Sequence, residues 1–280
     1  MDYLNFYIYF SFWLSQVLNF QYVYDIIFTT SFIKKGLTQM LKIALSKNWR
    51  MKRPVEKEYL SCGSLPVSVY QTLLDNEKIP NPYYGENEYI CREISRDDYD
   101  FKTVFQADRA ILSHEKVILR FEGIDTISDI YLNNIYIGST DNMFRTYEFD
   151  VKEQLTVGDN KLKISVKSPI RYIEKEQEKR PVWGQSMTMA GYPHIRKAHC
   201  MFGWDWGPQL PDMGIWRDVY LLCSDYGRID SIYCEQDFSE DYSALTLTVS
   251  ANIENYDKYD IVTEAEIITA DGRMLTGVLT

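Results

Sequence analysis

Several common signatures are missing from this 280-residue sequence. It contains no Cys-x-x-Cys pair, no Gly-x-Gly-x-x-Gly, no phosphate-cradling Gly-x-x-x-x-Gly-Lys and no Gly-x-Ser-x-Gly elbow. Dinucleotide, nucleoside triphosphate and serine-hydrolase readings therefore have no motif behind them. Cys62, Cys91, Cys200, Cys223 and Cys234 lack metal-ligand spacing. They read as buried thiols with at most one bridge, rather than as a disulfide framework. His194 and His199 lie five apart and do not share a helical face, so no zinc site is expected. Positive charge is short, with 30 Lys and Arg against 40 Asp and Glu and a net charge of −10. A phosphate-neutralising face, and with it nucleic-acid binding, is not expected. With 14 Gly and 9 Pro, collagen-like and low-complexity chains are excluded. What is abundant is aromatic: 22 Tyr, 13 Phe and 6 Trp, in a chain that is 45% hydrophobic. Such residues suit pleated sheets and flat-faced ligand sites.

At roughly 100–200 residues per domain, the length accommodates about two domains. Residues 3–24 carry no charge and are long enough to cross a bilayer. Polar residues such as Asn5, Ser11, Gln16 and Asn19 dilute them, however, and no basic segment precedes them. A membrane anchor is not expected. Residues 1–45 are read as an atypical apolar leader outside the fold.

From Trp49 onward, short strands alternate with turn chemistry. Lys116–Phe121 reads as a buried strand, and Asn133-Asn134 as the tight turn of a hairpin. Met143–Val151 and Ile215–Cys223 read as further strands. Leu162, Ile164 and Val166 alternate with lysines and serine, as in a strand with one wet face. Val67–Asn76 is a helix with Ser68 as its N-cap. The charged run Arg171–Arg180 is a solvated face, not a carboxylate pair for acid–base work. The expected class is all-β: a jelly-roll sandwich over residues 46–225. A second β-domain opens over residues 226–280, with strands at Ser243–Val249 and Ile261–Thr269 and a turn at Asp271-Gly272. An immunoglobulin-like sandwich needs about seven strands, so this second domain is read as incomplete.

The chemistry concentrates in residues 181–217, a long irregular stretch rich in Gly, Pro and aromatics. Its centre is Phe202-Gly-Trp-Asp-Trp-Gly-Pro208. A carboxylate between two indoles loses hydration unless it finds donors. A sugar supplies both complements, C–H faces for the indoles and hydroxyl donors for Asp205. The competing reading is a clamp in which Arg196, Lys197 or His199 pairs with Asp205 inside the fold, with the tryptophans as core.

The stretch FGWDWGP followed by GIWRDVYL resembles the β-mannosidases of glycoside hydrolase family 2. LPVSVYQTLLDNEKIPNPYYGENE and FEGIDTISDIYLNNIYIGSTDNMFRTYEFDV are similar to earlier blocks of that family, in the right order. The resemblance covers residues 46–223. Val67 stands where the family usually has Gly, and Tyr70 where it often has His. The resemblance implies a jelly-roll (galactose-binding-like) domain, an immunoglobulin-like domain and a (β/α)8 barrel. It also implies retaining hydrolysis of terminal β-mannose with no metal or other cofactor. Trp204, Asp205 and Trp206 would then be substrate-binding residues of the −1 subsite. Both catalytic glutamates would sit on the barrel, which is expected to be missing here. The chain is therefore expected to be an inactive N-terminal fragment, whose partners are the barrel and a β-mannoside oligosaccharide. For an animal member the resemblance implies a lysosomal location. The alternatives are a stand-alone carbohydrate-binding module or pseudoenzyme, and a sibling family 2 β-galactosidase or β-glucuronidase.

Overall fold

Alternation dictates the strands of the larger unit, residues 42–223. In Gly158–Val166, residues Leu162, Ile164 and Val166 are fully buried while Lys161, Lys163 and Ser165 stand on the other face. The computed structural model describes residues 40–256, together with strand backbone at 3–13, 25–32, 261–268 and 274–279. In chain order the main strands of this unit are β1 (Leu41–Ala44), β2 (Trp49–Lys52), β3 (Leu60–Gly63), β4 (Tyr99–Ala107), β5 (Lys116–Phe121), β6 (Ser128–Leu132), β7 (Ile135–Thr140), β8 (Tyr147–Asp150), β9 (Gly158–Val166) and β10 (Val219–Ser224). One sheet runs β7-β6-β9-β4-β2-β3 and a second runs β8-β5-β10-β1. Met51, Phe101, Ile130, Leu162 and Ile164 of the first share one core with Val117, Leu119, Phe121, Val219 and Leu221 of the second. Two sheets around one apolar layer make a β-sandwich, so the all-β expectation holds. Trp49 is wholly buried in this core, and its indole N–H donates to the carbonyl of Leu45 (2.8 Å).

The hairpin β6–β7 turns at Asn133 and Asn134, both with positive φ (51° and 68°), as a two-residue primed turn requires. Helix α1 (Val69–Asp75) is capped by the Ser68 hydroxyl, which accepts from the N–H of Gln71. Tyr70 is a packing residue, its hydroxyl 2.6 Å from that of Ser95 in the interior.

Some expectations need correction. The described residues include three further α-helices: α2 (Asn87–Ile94), α3 (Arg109–Ser113) and α4 (Pro169–Lys179). Helix α4 takes in most of the charged run and buries Ile170 and Ile173 beneath its wet face. The strand expected over Met143–Val151 shortens to β8. Ile215–Cys223 breaks in two, because Gly214–Ile215 pairs instead with Val67–Ser68 and Ile124–Asp125. The unit also begins before residue 46: β1 joins the smaller sheet and Leu45 is buried.

The second unit comprises residues 1–41 and 224–280. Gly227–Phe238 pairs antiparallel with Ala244–Asn255. Leu245, Leu247, Val249, Ala251 and Ile253 alternate on a buried face. Tyr3–Trp13 pairs antiparallel with Ala244–Asn255, and Asp25–Phe32 with Ile261–Ile268. Backbone set aside as a leader is thus placed in sheets; aromatic, uncharged sequence suits a strand as well as a bilayer. Ile261–Ile268 also pairs with Met274–Leu279. The turn expected at Asp271-Gly272 lies outside the described residues. No helix among the described residues is long and apolar enough to cross a membrane.

Candidate functional site

The segment from Phe202 to Gln209 folds as a miniature hairpin. Phe202 and Gln209 form an antiparallel bridge at its base. One step further out, the N–H of Trp204 donates to the carbonyl of Gly207 (3.0 Å) and that of Gly207 donates back to the carbonyl of Trp204 (3.4 Å). Asp205 and Trp206 are therefore the two tip residues. Gly203, at φ +97°, lets the chain leave its buried root, and a Cβ there would lie 2.5 Å from Gln209 Cγ. The root itself is fixed. Phe202 is fully buried against Ile173 and Ile195, and Leu210 enters the main core.

Helix α2 holds the other arm. Glu88 Oε1 accepts from the backbone N–H of Gln209 (2.7 Å), and Arg92 Nη1 donates to Gln209 Oε1 (2.8 Å). Glu88 and Arg92 are one helical turn apart, so both reach the same stem residue. The Gln209 amide Nε2 completes the set by donating to the carbonyl of Met187 (3.2 Å).

The tip is left in solvent. Asp205 is exposed, as are Trp204 (42%) and Trp206 (76%). Among the described residues Asp205 has no hydrogen-bond or ion-pair partner, so the clamp reading is overturned. Lys197 instead turns inward, wholly buried, and its ammonium group donates to Asp125 Oδ2 and to the carbonyl of Asp212. Asp212 Oδ1 accepts from the N–H groups of Tyr70 (3.1 Å) and Met213 (2.8 Å). Burial pushes the Asp212 carboxyl above the ordinary aspartate value, against the pull of the Ser68 hydroxyl and these N–H groups. Arg196 is exposed, and the His199 ring lies edge-on to Tyr192 with Nε2 3.2 Å from the carbonyl of Ile195. Physically, the buried lysine needed a buried acid, and the exposed Asp205 was no substitute.

Trp204, Asp205 and Trp206 line an open cleft of about 490 Å³. Pro82, Tyr83 and Gly85 and, from α2, Tyr89 and Arg92 line the same cleft. Sequence reasoning singled out the indole–carboxylate–indole side and missed the tyrosine side, which it met only as one block of a family resemblance. A larger cleft of about 640 Å³ lies around Met51, Leu73, Ile79 and Tyr99. The guanidinium on its rim, Arg53, is already bonded to Glu56 and Asp97. All five cysteines are free, and no cluster of three or more metal-ligating side chains occurs among the described residues.

A carboxylate accepts hydrogen bonds and donates none. Flanked in sequence by two exposed indoles that line the same cleft, it is free to accept from O–H or N–H donors while the indoles offer flat apolar faces. Each charge-assisted bond to it is worth about 1.5–3 kcal/mol.

Residues 49–217 match the family described as glycosyl hydrolase 2 galactose-binding domain-like. The chain is 35% identical over 196 residues to a β-mannosidase of Mus musculus, an alignment spanning 67% of this chain and 22% of that protein. It is 28% identical over 235 residues to β-mannosidase B of Aspergillus oryzae, spanning 82% of this chain and 28% of the other. The crystal structure of a β-D-mannosidase from Dictyoglomus thermophilum superposes with a TM-score of 0.69 at 28% identity, over 86% of this chain and 30% of that one. The chain thus spans between a fifth and a third of the length of these relatives. The match over residues 49–217, carried on the β-sandwich just described, means that the chain belongs to glycoside hydrolase family 2.

Proposed function

We propose that this chain is the N-terminal part of a retaining exo-β-mannosidase and supplies one side of its −1 subsite. Asp205 accepts hydrogen bonds from hydroxyls of a terminal β-mannose, and Trp204 and Trp206 form the wall against its C–H face. The observation that carries the reading is the position of Asp205: exposed at a hairpin tip, between two indoles, facing a cleft, with no protein partner. The similarity to mannosidases from a mouse, a mould and a bacterium supports mannose as the sugar.

Retention requires two carboxyl groups about 5–5.5 Å apart. The cleft offers Asp205 and Glu88, and Glu88 is already engaged by the Gln209 N–H. In this reading the cleft contributes binding groups and not the catalytic pair. The acid/base and nucleophile belong to a (β/α)8 barrel in the part of the protein that corresponds to the relatives' remaining length. The test is to incubate the chain with p-nitrophenyl β-D-mannopyranoside and to measure mannoside binding by saturation-transfer NMR. The expected result is no nitrophenol release above background, with weak saturation transfer that disappears in Asp205→Ala. Hydrolysis by the chain, or binding unchanged in Asp205→Ala, would overturn the proposal.

A further inference from the structure

The family-like block Asn81-Pro-Tyr-Tyr-Gly-Glu-Asn-Glu88 has no role in the proposed −1 subsite, yet the fold brings Pro82, Tyr83, Gly85 and Glu88 to the same cleft. Tyr83 (79%) and Tyr89 (59%) are among the most exposed large side chains of the unit, and both line the cleft together with the tryptophans. They are not loose ornaments. The Asn81 side chain accepts from the N–H of Tyr83 (2.9 Å), and Asn87 Nδ2 donates to the carbonyl of Asn81 (2.9 Å), which closes the loop onto the start of α2. The Arg92 guanidinium carbon sits 5.7 Å from the centre of the Tyr89 ring. The same helix is bonded to the stem of the tryptophan hairpin through Glu88 and Arg92. The two walls are therefore tied together at their base while their aromatic faces stay open.

At about 490 Å³ the cleft lies within the roughly 300–1,000 Å³ typical of sites for drug-sized ligands, and it has room for more than one hexose ring. Asp205 serves the ring at the hairpin tip. The tyrosine wall offers what a second, uncharged ring needs: flat faces and phenolic hydroxyls at the water boundary.

We propose that Tyr83 and Tyr89 form a second sugar subsite, which takes the ring linked to the terminal mannose, so that the site prefers a β-mannosyl disaccharide to a simple mannoside. This rests on the sugar-binding reading of Asp205. The experiment titrates the full chain, and its Tyr83→Ala, Tyr89→Ala and Asp205→Ala variants, with methyl β-D-mannopyranoside and with β-1,4-mannobiose, followed by NMR. Both tyrosines are exposed, so folding should survive, and far-UV circular dichroism checks it. The expected result is tighter binding of the disaccharide. Each tyrosine variant should weaken disaccharide binding roughly three- to tenfold, the loss of one aromatic face, and leave the monosaccharide unchanged. Asp205→Ala should weaken both. Equal affinity for the two sugars overturns the second subsite and leaves the first standing. So do tyrosine variants that change neither sugar or that change both alike. Absence of binding by either sugar sinks both readings together.

Discussion

Lys197 shows at the scale of one residue how this unit is secured. Its side chain is wholly buried, and the Asp125 side chain is 5% exposed. Neither charge can be lost alone without leaving the other uncompensated, so Lys197→Met should cost about 3–5 kcal/mol by urea unfolding. Adding Asp125→Asn to that variant should recover part of the loss; no recovery would show that the cost comes from packing. The pair is separated by 72 residues in sequence. That separation is why the residue scale was only half legible. Asp205 announced itself through its two indole neighbours. The partner of Lys197 could not be read, and Asp205 was the nearest acid in view. Local chemistry marks groups that need a partner, and topology chooses among the candidates.

Among the elements, the β6–β7 hairpin is the most strongly specified. Asn133 adopts positive φ and also ties three segments together. Its Nδ2 donates to the carbonyl of Gln154 (2.9 Å) and to Asn160 Oδ1 (2.8 Å), and its Oδ1 accepts from the N–H of Lys161 (2.8 Å). Asn133→Ala should destabilise the unit by about 1–3 kcal/mol in thermal or urea unfolding. Asn134 is exposed, and Asn134→Gly should be neutral or stabilising, because the turn favours glycine there. A large loss from Asn134→Gly would show that its side chain matters in a way the turn does not explain. Strand β9 was legible because a half-buried strand writes its pleat into the sequence, and β5 because its short apolar run is buried on both faces. Helix α2 was not. Its apolar stripe is short, with Cys91 buried and Ile94 packed against the core, and Glu88 and Arg92 of the same helix bond the stem of a distant loop. Eight residues hold little more than two turns, too short a window for the hydrophobic period to stand out from the sequence.

For the whole molecule, the main core lies entirely within residues 45–223. A polypeptide of residues 42–223 should therefore unfold cooperatively by itself, with near-ultraviolet circular dichroism from Trp49 packed in its core; a non-cooperative melt would contradict this. The sandwich is a rigid base from which one hairpin lifts an acid and two indoles into solvent. The central claim is that this tip is a hexose receptor. The most direct measurement follows the indole N–H resonances of the 280-residue chain during titration with methyl β-D-mannopyranoside. The N–H groups of Trp49 and Trp216 are already bonded inside the fold, to the carbonyls of Leu45 (2.8 Å) and Met143 (3.0 Å). The Trp204 and Trp206 resonances should move saturably while those of Trp49 and Trp216 stay fixed. Indoles at the tip that stay silent to high millimolar sugar, or all four moving together, would contradict the account.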